Sequence, residues 1–212
     1  MNALKKWSKK SRLSFIIFAV FLSLFLFLQG QICQSHAASA RPAQKEIETY
    51  PATPGGVVEA FCIEDFNGAG TSSETWKRIQ QYTTWLDGPG WDTVLIVNSF
   101  KIMETKQNLK DAEVIVMYKA IGELIAHPNT FHEKVEDKIV TFKLVKEGDK
   151  WKITEPQTYP HISVETAIKD LQMTINYYEK NKEKYKADKR ARIRVENKKK
   201  AMESLKKYSK NQ

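Results

Sequence analysis

The sequence has few cysteines, glycines and prolines, and each shortage excludes a class of protein. Two cysteines among 212 residues cannot build a disulfide framework. Nine glycines and seven prolines exclude a collagen-like or low-complexity chain. With 42% hydrophobic and 28% charged residues, the composition is that of a globular protein, neither wholly disordered nor built of many membrane spans. The length suits one ordinary domain with extensions.

Acidic residues are absent from the first 40 positions, so the net charge of +9 is unevenly spread. Residues 1–40 carry five Lys and Arg residues, whereas residues 41–178 carry 15 basic and 20 acidic residues. Residues 179–212 carry 14 basic and five acidic residues. The body of the chain is therefore mildly acidic, and its basic character belongs to the two ends.

The basic N-terminus is followed by an apolar run from Phe15 to Leu28 and then by small residues. This order is typical of a secretory signal peptide, and the run of 14 residues is shorter than the ~20 that span a bilayer. The small-residue pattern allows signal cleavage after Ala40, which we favour, or after Ala37. We therefore predict an exported protein, periplasmic or secreted. The alternative is an inner-membrane anchor through residues 13–28.

The two cysteines are not expected to carry chemistry. Cys33 is no lipidation site, because Ile32 stands where that signal needs a small residue, and signal cleavage removes it. A lone exposed thiol is a liability in an oxidising compartment, so we predict that Cys62 is buried. It lies in the apolar stripe of a predicted helix whose other face carries Glu59, Glu64 and Asp65.

Two helices are predicted after a polar lead-in over residues 41–53. Thr53-Pro54 provides a cap and a first helical residue, and apolar residues then recur at three- and four-residue steps up to Asn67-Gly68. The capping box Thr71–Glu74 predicts a second helix, which ends before the turn signal Asp87–Gly90.

The hydrophobic period then changes from 3.6 to 2, which indicates strands. We predict strands over Thr93–Ile102, Ala112–Ile121 and Lys138–Val145, followed by a hairpin turn at Glu147–Lys150 and a return strand from Trp151. Apolar residues occupy both faces of the second strand, which indicates that it is covered at least partly on both sides.

The C-terminal region predicts a long helix. Ser163 is its cap, and one apolar seam follows at residues 164, 168, 171, 175 and 178. The seam ends at about Tyr185, beyond which acid–base pairs four residues apart support a polar helix. We therefore predict one helix within residues 161–212, docked to about residue 185 and continued as a basic, solvated extension.

These elements predict an α+β fold over residues 54–160, with N-terminal helices packed on a bent antiparallel sheet and a long basic C-terminal helix. The hairpin Val140–Ile153, a strand, a glycine turn and Lys-Trp-Lys-Ile, resembles the last strands of the nuclear-transport-factor-two-like superfamily, the cystatin-like cone of ketosteroid isomerase. The stretch Thr83–Asp92 is similar to one in an uncharacterised group of exported bacterial proteins. The resemblance covers residues 54–157 and implies a bent sheet around an apolar pocket; it implies a fold rather than an activity.

Enzymes of that superfamily use Asp, His or Tyr inside the cone, and the resemblance makes candidates of Asp92, Asp111, Tyr118, His127 and His132. Asp92 follows Trp91, where an apolar wall would raise the pKa of a general base, although an aspartate in a turn more often bonds its own backbone. Asp111 stands at a hairpin, and a solvated role is expected. Tyr118 lies on a strand face and is a candidate for the core or for a pocket wall.

A metal site is not predicted at the two histidines. Their spacing suits a metal on a helix, and Glu133 and Glu136 are near, but Pro128 and Asn129 favour a loop and no ligand set is complete.

The tryptophans of the mature chain are candidates for a ligand pocket. Trp76, Trp85, Trp91 and Trp151, with Tyr118, would line a pocket for a small apolar ligand, or they fill the core. A cone fold permits both roles.

The function predicted from these observations is non-enzymatic binding of a ligand or partner in the cell envelope, with no cofactor. The alternative is an isomerase or dehydratase acting on a small apolar substrate, which a charged or His side chain inside the pocket would favour. A third possibility is a structural homodimer through the sheet. The basic segment 186–212 predicts an anionic lipid or envelope polymer as a partner; nucleic acid is not expected for an exported protein.

Overall fold

The computed structural model describes residues 49–88, 90–127 and 129–209. The predicted signal peptide, its cleavage positions Ala37 and Ala40, the anchor segment 13–28 and most of the lead-in lie outside these residues. The helices are α1 (Pro54–Phe66), α2 (Ser73–Gln80), α3 (Val164–Lys180), α4 (Lys182–Tyr185) and α5 (Lys189–Ser209). The strands are β1 (Thr93–Gln107), β2 (Asp111–Ile125), β3 (Thr130–Glu147), β4 (Lys150–Glu155) and β5 (His161–Ser163).

Local capping signals determine both N-terminal helices. The Thr53 side chain accepts a hydrogen bond from the Gly56 amide at 3.1 Å and begins α1. Gly68 follows the end of α1 with a φ of 86°, a conformation that glycine adopts without strain. The cap of α2 is Ser72, one residue later than the predicted box, because Ala69–Thr71 form a short 3-10 turn.

The α+β prediction is confirmed by a curled five-stranded sheet in the order β4-β3-β2-β1-β5. Strands β1 to β4 are antiparallel neighbours, and the short β5 joins β1 in parallel, a pairing that the periodicity did not predict. Strand β3 begins eight residues before its predicted start at Lys138, and this added part is mostly exposed. A strand continued by hydrogen bonds alone leaves no alternating apolar pattern to detect.

Helices cover the sheet from both sides, because consecutive residues of a strand point to opposite faces. On β1, Leu95 and Val97 belong to a core formed with α1 and α2, whereas Ile96 belongs to a second core formed with α3 and α5. Strand β2 is likewise covered on both faces, as predicted. Its Val114, Val116, Tyr118 and Ala120 face the first core, and Ile121 faces the second.

The predicted single helix with a solvated C-terminal extension is wrong. Helix α3 ends at its cap residue Asn181, and the chain then reverses its direction. Asp188 caps the start of α5 by accepting hydrogen bonds from the amides of Arg190 and Ala191 at 2.8 and 3.0 Å. Helix α5 then runs back along α3 and buries Ala201, Met202 and Leu205 against it. The sequence reading missed this contact because two of these three residues, Ala and Met, make a weak apolar stripe.

The first part of the C-terminal region behaves as predicted. Leu171 and Ile175 of α3 are buried in the second core, and Ser163 caps α3 by accepting from the Thr166 amide at 3.0 Å. Within the described residues no helix is long and apolar enough to cross a membrane.

Candidate functional site

A carboxylate and an imidazole lie side by side in the first core. Asp65, near the end of α1, accepts a hydrogen bond from the His161 backbone amide at 2.8 Å, and its Oδ2 lies 3.4 Å from His161 Nδ1. Both side chains are at most 4% exposed. Burial raises the pKa of Asp65, and its contacts with His161 act in the opposite direction. Neither ring nitrogen of His161 has a hydrogen-bond partner among the described residues.

Tyr118 packs against the imidazole of this pair. Its ring stacks on His161 with centroids 4.3 Å apart, and its hydroxyl lies 3.1 Å from Cys62 Sγ. Burial raises the pKa of both Tyr118 and Cys62. The predicted burial of Cys62 is confirmed, and the thiol stays protonated at neutral pH.

A row of rings connects this interior pair with the surface. Tyr159 stacks on His161 at 5.7 Å, and Trp91 meets Tyr159 edge-on at 6.3 Å. The Tyr159 hydroxyl donates to Glu123 Oε1 at 2.9 Å and accepts a hydrogen bond from Lys138. The row therefore reaches the surface at the polar side chains of Glu123 and Lys138 and at the exposed indole of Trp91.

A surface groove of about 510 Å³ lies beside Trp91. Trp76 forms another part of its lining, together with Leu86, Val94 and Pro160. Leu86 is 83% exposed and Trp91 is 39% exposed, so the groove presents apolar side chains to solvent. Its polar lining includes hydroxyl groups at residues 71–73 and the carboxylate of Asp87.

Two glycines give this groove its shape. A Cβ on Gly88 would lie 2.8 Å from Cδ2 of Trp76, so only glycine lets the turn rest on the indole. A Cβ on Gly70 would lie 2.8 Å from Asp65 Oδ1 and 3.2 Å from Pro160. The lining of the groove at Gly70 is therefore in close contact with the buried carboxylate.

The structure brings two of the predicted pocket residues together in the groove, Trp76 and Trp91. Trp85 packs behind Trp76 with centroids 6.4 Å apart, and its Nε1 donates to the Thr154 carbonyl at 2.8 Å. Tyr118 and Trp151 lie in the first core, each at most 2% exposed.

The four other candidate catalytic residues lie apart from the Asp65–His161 pair. Asp92 is an exposed turn residue whose carbonyl accepts from the Ala126 amide at 2.7 Å, and Asp111 is exposed at the start of β2. His127 is exposed in a turn, whereas His132 is exposed on β3 with its Nε2 3.0 Å from Thr130 Oγ1.

The carboxylates near the two histidines have other partners. Glu133 accepts hydrogen bonds from Lys207 and, at 2.6 Å, from the Tyr208 hydroxyl. Glu136 forms an ion pair with Lys134 at 2.8 Å. Among the described residues no three His, Cys, Asp or Glu side chains cluster as metal ligands would.

The sequence reading missed Asp65 and His161. It placed Asp65 on the solvent face of α1, but the residue stands four positions after buried Phe61 and shares its face. A charged residue within an apolar stripe was therefore the available signal. His161 had none, because its burial depends on β5, a strand of three residues.

Comparison of the chain with models of known protein families gave no match, and comparisons with curated proteins and with solved structures gave none either.

Proposed function

We propose that this protein is an exported, non-enzymatic binding module that takes a small, largely apolar ligand in the groove between Trp76 and Trp91. The observation that carries the proposal is the exposure of Leu86 and Trp91 beside a groove of about 510 Å³. Ligand sites commonly measure ~300–1,000 Å³ and combine apolar walls with a few polar groups. The curled sheet, which helices cover on both faces, is consistent with the cone fold of the nuclear-transport-factor-two-like superfamily that we propose.

The lining indicates what such a ligand looks like. Leu86, Val94 and Pro160 offer apolar contact, and the indole of Trp91 offers a flat face. The hydroxyl groups at residues 71–73 and Asp87 would orient one or two hydrogen-bonding groups of the ligand. Among the described residues, Asp87 is the only charged side chain of the lining, so a neutral or cationic ligand fits better than an anion.

Binding of the neutral fluorophore N-phenylnaphthylamine tests the groove. We expect Trp91→Ala to weaken binding roughly tenfold, since a central aromatic anchor typically contributes more than about 1 kcal/mol. Leu86→Ala should weaken it less. The matched control Leu109→Ala, which removes a similarly exposed leucine outside the groove, should leave binding unchanged. Equal effects of the two leucine variants would contradict the assignment of the groove.

Acid–base catalysis, as in an isomerase or dehydratase, is the second candidate function. One observation favours it, the Asp65–His161 pair against the groove lining at Gly70. The burial of both side chains argues against direct contact with a substrate. Conversion of a groove ligand that Asp65→Asn abolishes, detected by mass spectrometry, would favour the enzyme over the binding module.

We also propose export, on the basic, apolar and small-residue order of the first 40 positions. Intact-mass measurement of the protein recovered from expressing cells should show a chain that begins at Arg41 or Ala38. A chain that retains Met1 in the membrane fraction would instead support the anchor through residues 13–28.

A further inference from the structure

Two groups of basic residues in the C-terminal helices differ in how far they are paired with carboxylates. In the first group each side chain has a carboxylate within 4 Å. The pairs are Lys199 with Glu179, Lys200 with Glu196, Lys206 with Glu203, and Lys207 with Glu133. These four lysines of α5 are therefore locally neutralised.

The second group lies where the chain reverses, and we call residues 177–194 the hairpin tip. Its basic residues are Lys180, Lys182, Lys184, Lys186, Lys189, Arg190, Arg192 and Arg194. The acids of this segment are Glu179, Glu183 and Asp188, so the tip carries a net charge of +5. Glu179 is engaged with Lys199, and Glu183 pairs with Lys186 at 3.5 Å. The Asp188 carboxylate caps α5, and the amide of Ala191 lowers its pKa.

Apolar side chains are exposed at the same tip. Tyr177 is 53% exposed and Ile193 is 47% exposed. The rings of Tyr177, Tyr178 and Tyr185 contact one another at centroid distances of 5.0 to 6.4 Å. A cavity of about 380 Å³ with Tyr178 and Tyr185 in its lining is also lined by basic Lys182 and Arg192.

We propose that the hairpin tip docks on the surface of a bilayer that contains anionic phospholipids. Each Lys or Arg near such a surface strengthens attachment roughly fivefold. The tip brings eight such side chains together where the chain reverses. Tyr and aliphatic side chains beside basic residues suit the headgroup boundary, where an apolar body and a polar group are both solvated well. A soluble polyanion would use the charge of the tip and leave Ile193 without a role. This proposal does not depend on the ligand groove.

Vesicle sedimentation at low salt tests the tip with variants of equal charge loss. The protein recovered from expression of the full sequence is mixed with vesicles of phosphatidylglycerol and phosphatidylcholine, and with vesicles of phosphatidylcholine alone. The neutral vesicles measure any binding that is independent of charge. The triple variant Arg190→Gln, Arg192→Gln, Arg194→Gln should lower binding to the anionic vesicles roughly hundredfold.

The matched control removes three charges from the neutralised lysines of the same helix. The triple variant Lys199→Gln, Lys200→Gln, Lys206→Gln should lower binding by less than about fivefold. Circular dichroism verifies that both variants retain their helices. Equal losses in the two variants would show that net charge alone drives attachment, and the hairpin tip would not be a docking site.

A single substitution separates a bilayer from a soluble polyanion. Ile193→Ser should weaken binding to anionic vesicles about fivefold and leave binding to inorganic polyphosphate unchanged. Binding to polyphosphate as tight as binding to vesicles, with no effect of Ile193→Ser on either, would overturn the bilayer proposal in favour of a polyanion. Equal binding to neutral and anionic vesicles would overturn it as well.

Discussion

Replacing Leu205 with aspartate should detach α5 and lower the free energy of unfolding by about 4 kcal/mol or more. Leu205 of α5 is fully buried against α3, so the variant places a carboxylate among the apolar side chains of the second core. In a protein of this size such a loss lowers the melting temperature by about 10 °C. Thermal and urea unfolding, followed by circular dichroism, measure the effect.

Ile193→Asp is the matched control, because it makes the same change on the same helix at a side chain that is 47% exposed. Its effect on stability should stay within about 0.5 kcal/mol. If Leu205→Asp were equally mild, α5 would be the solvated extension that the sequence suggests, and the helical pairing described above would not form in solution.

Replacing Asp65 with alanine should cost about 2–4 kcal/mol of stability. The substitution leaves the buried His161 amide without its acceptor and removes the carboxylate that lies beside the imidazole. Asp65→Asn keeps an acceptor oxygen and should cost less. Glu59→Ala, at an exposed position of the same helix, is the control and should change stability by less than about 0.5 kcal/mol. A small loss of stability in Asp65→Ala would mean that water replaces the carboxylate as the acceptor for the His161 amide.

The stability of the wild type relative to Asp65→Asn should also depend on pH. Burial raises the pKa of Asp65 above its ordinary value of 3.8, so at intermediate pH the folded state holds a proton that the unfolded chain has released. The relative stability of the wild type should therefore increase as the pH falls through the folded-state pKa, and should become constant below about 3.8. Urea titrations of both proteins across this range measure the difference. A relative stability that falls on acidification would show that attraction to His161 outweighs burial.

Much of the fold could be predicted from the sequence because it depends on neighbours along the chain. Thr53 and Ser163 cap their helices through amides three residues away, and the turn at Gly148 joins adjacent strands. The period of two on β2 likewise places Val114 and Tyr118 on one face, which is the face of the first core. These features need only local geometry and the burial of apolar side chains, which residue type and spacing encode directly.

The candidate site was only partly predictable, since tryptophan is a pocket residue and a core residue alike. Trp76 and Trp91 meet at the groove because the turn at Gly88 rests on one indole and Tyr159 supports the other. Trp151 has the same residue type and is buried in the core. Residue type set the list of candidates, and the packing of distant segments selected among them.

The sequence by itself determined the α+β class, the caps at Thr53 and Ser163, the burial of Cys62 and the basic character of the C-terminal region. Only the tertiary structure decided that β5 pairs with β1, that His161 stands beside Asp65, and that α5 folds back on α3. The reason is physical. Each of these contacts joins segments far apart in the chain through few or weakly apolar residues, so its stability comes from surfaces that exist only once the rest of the protein has folded.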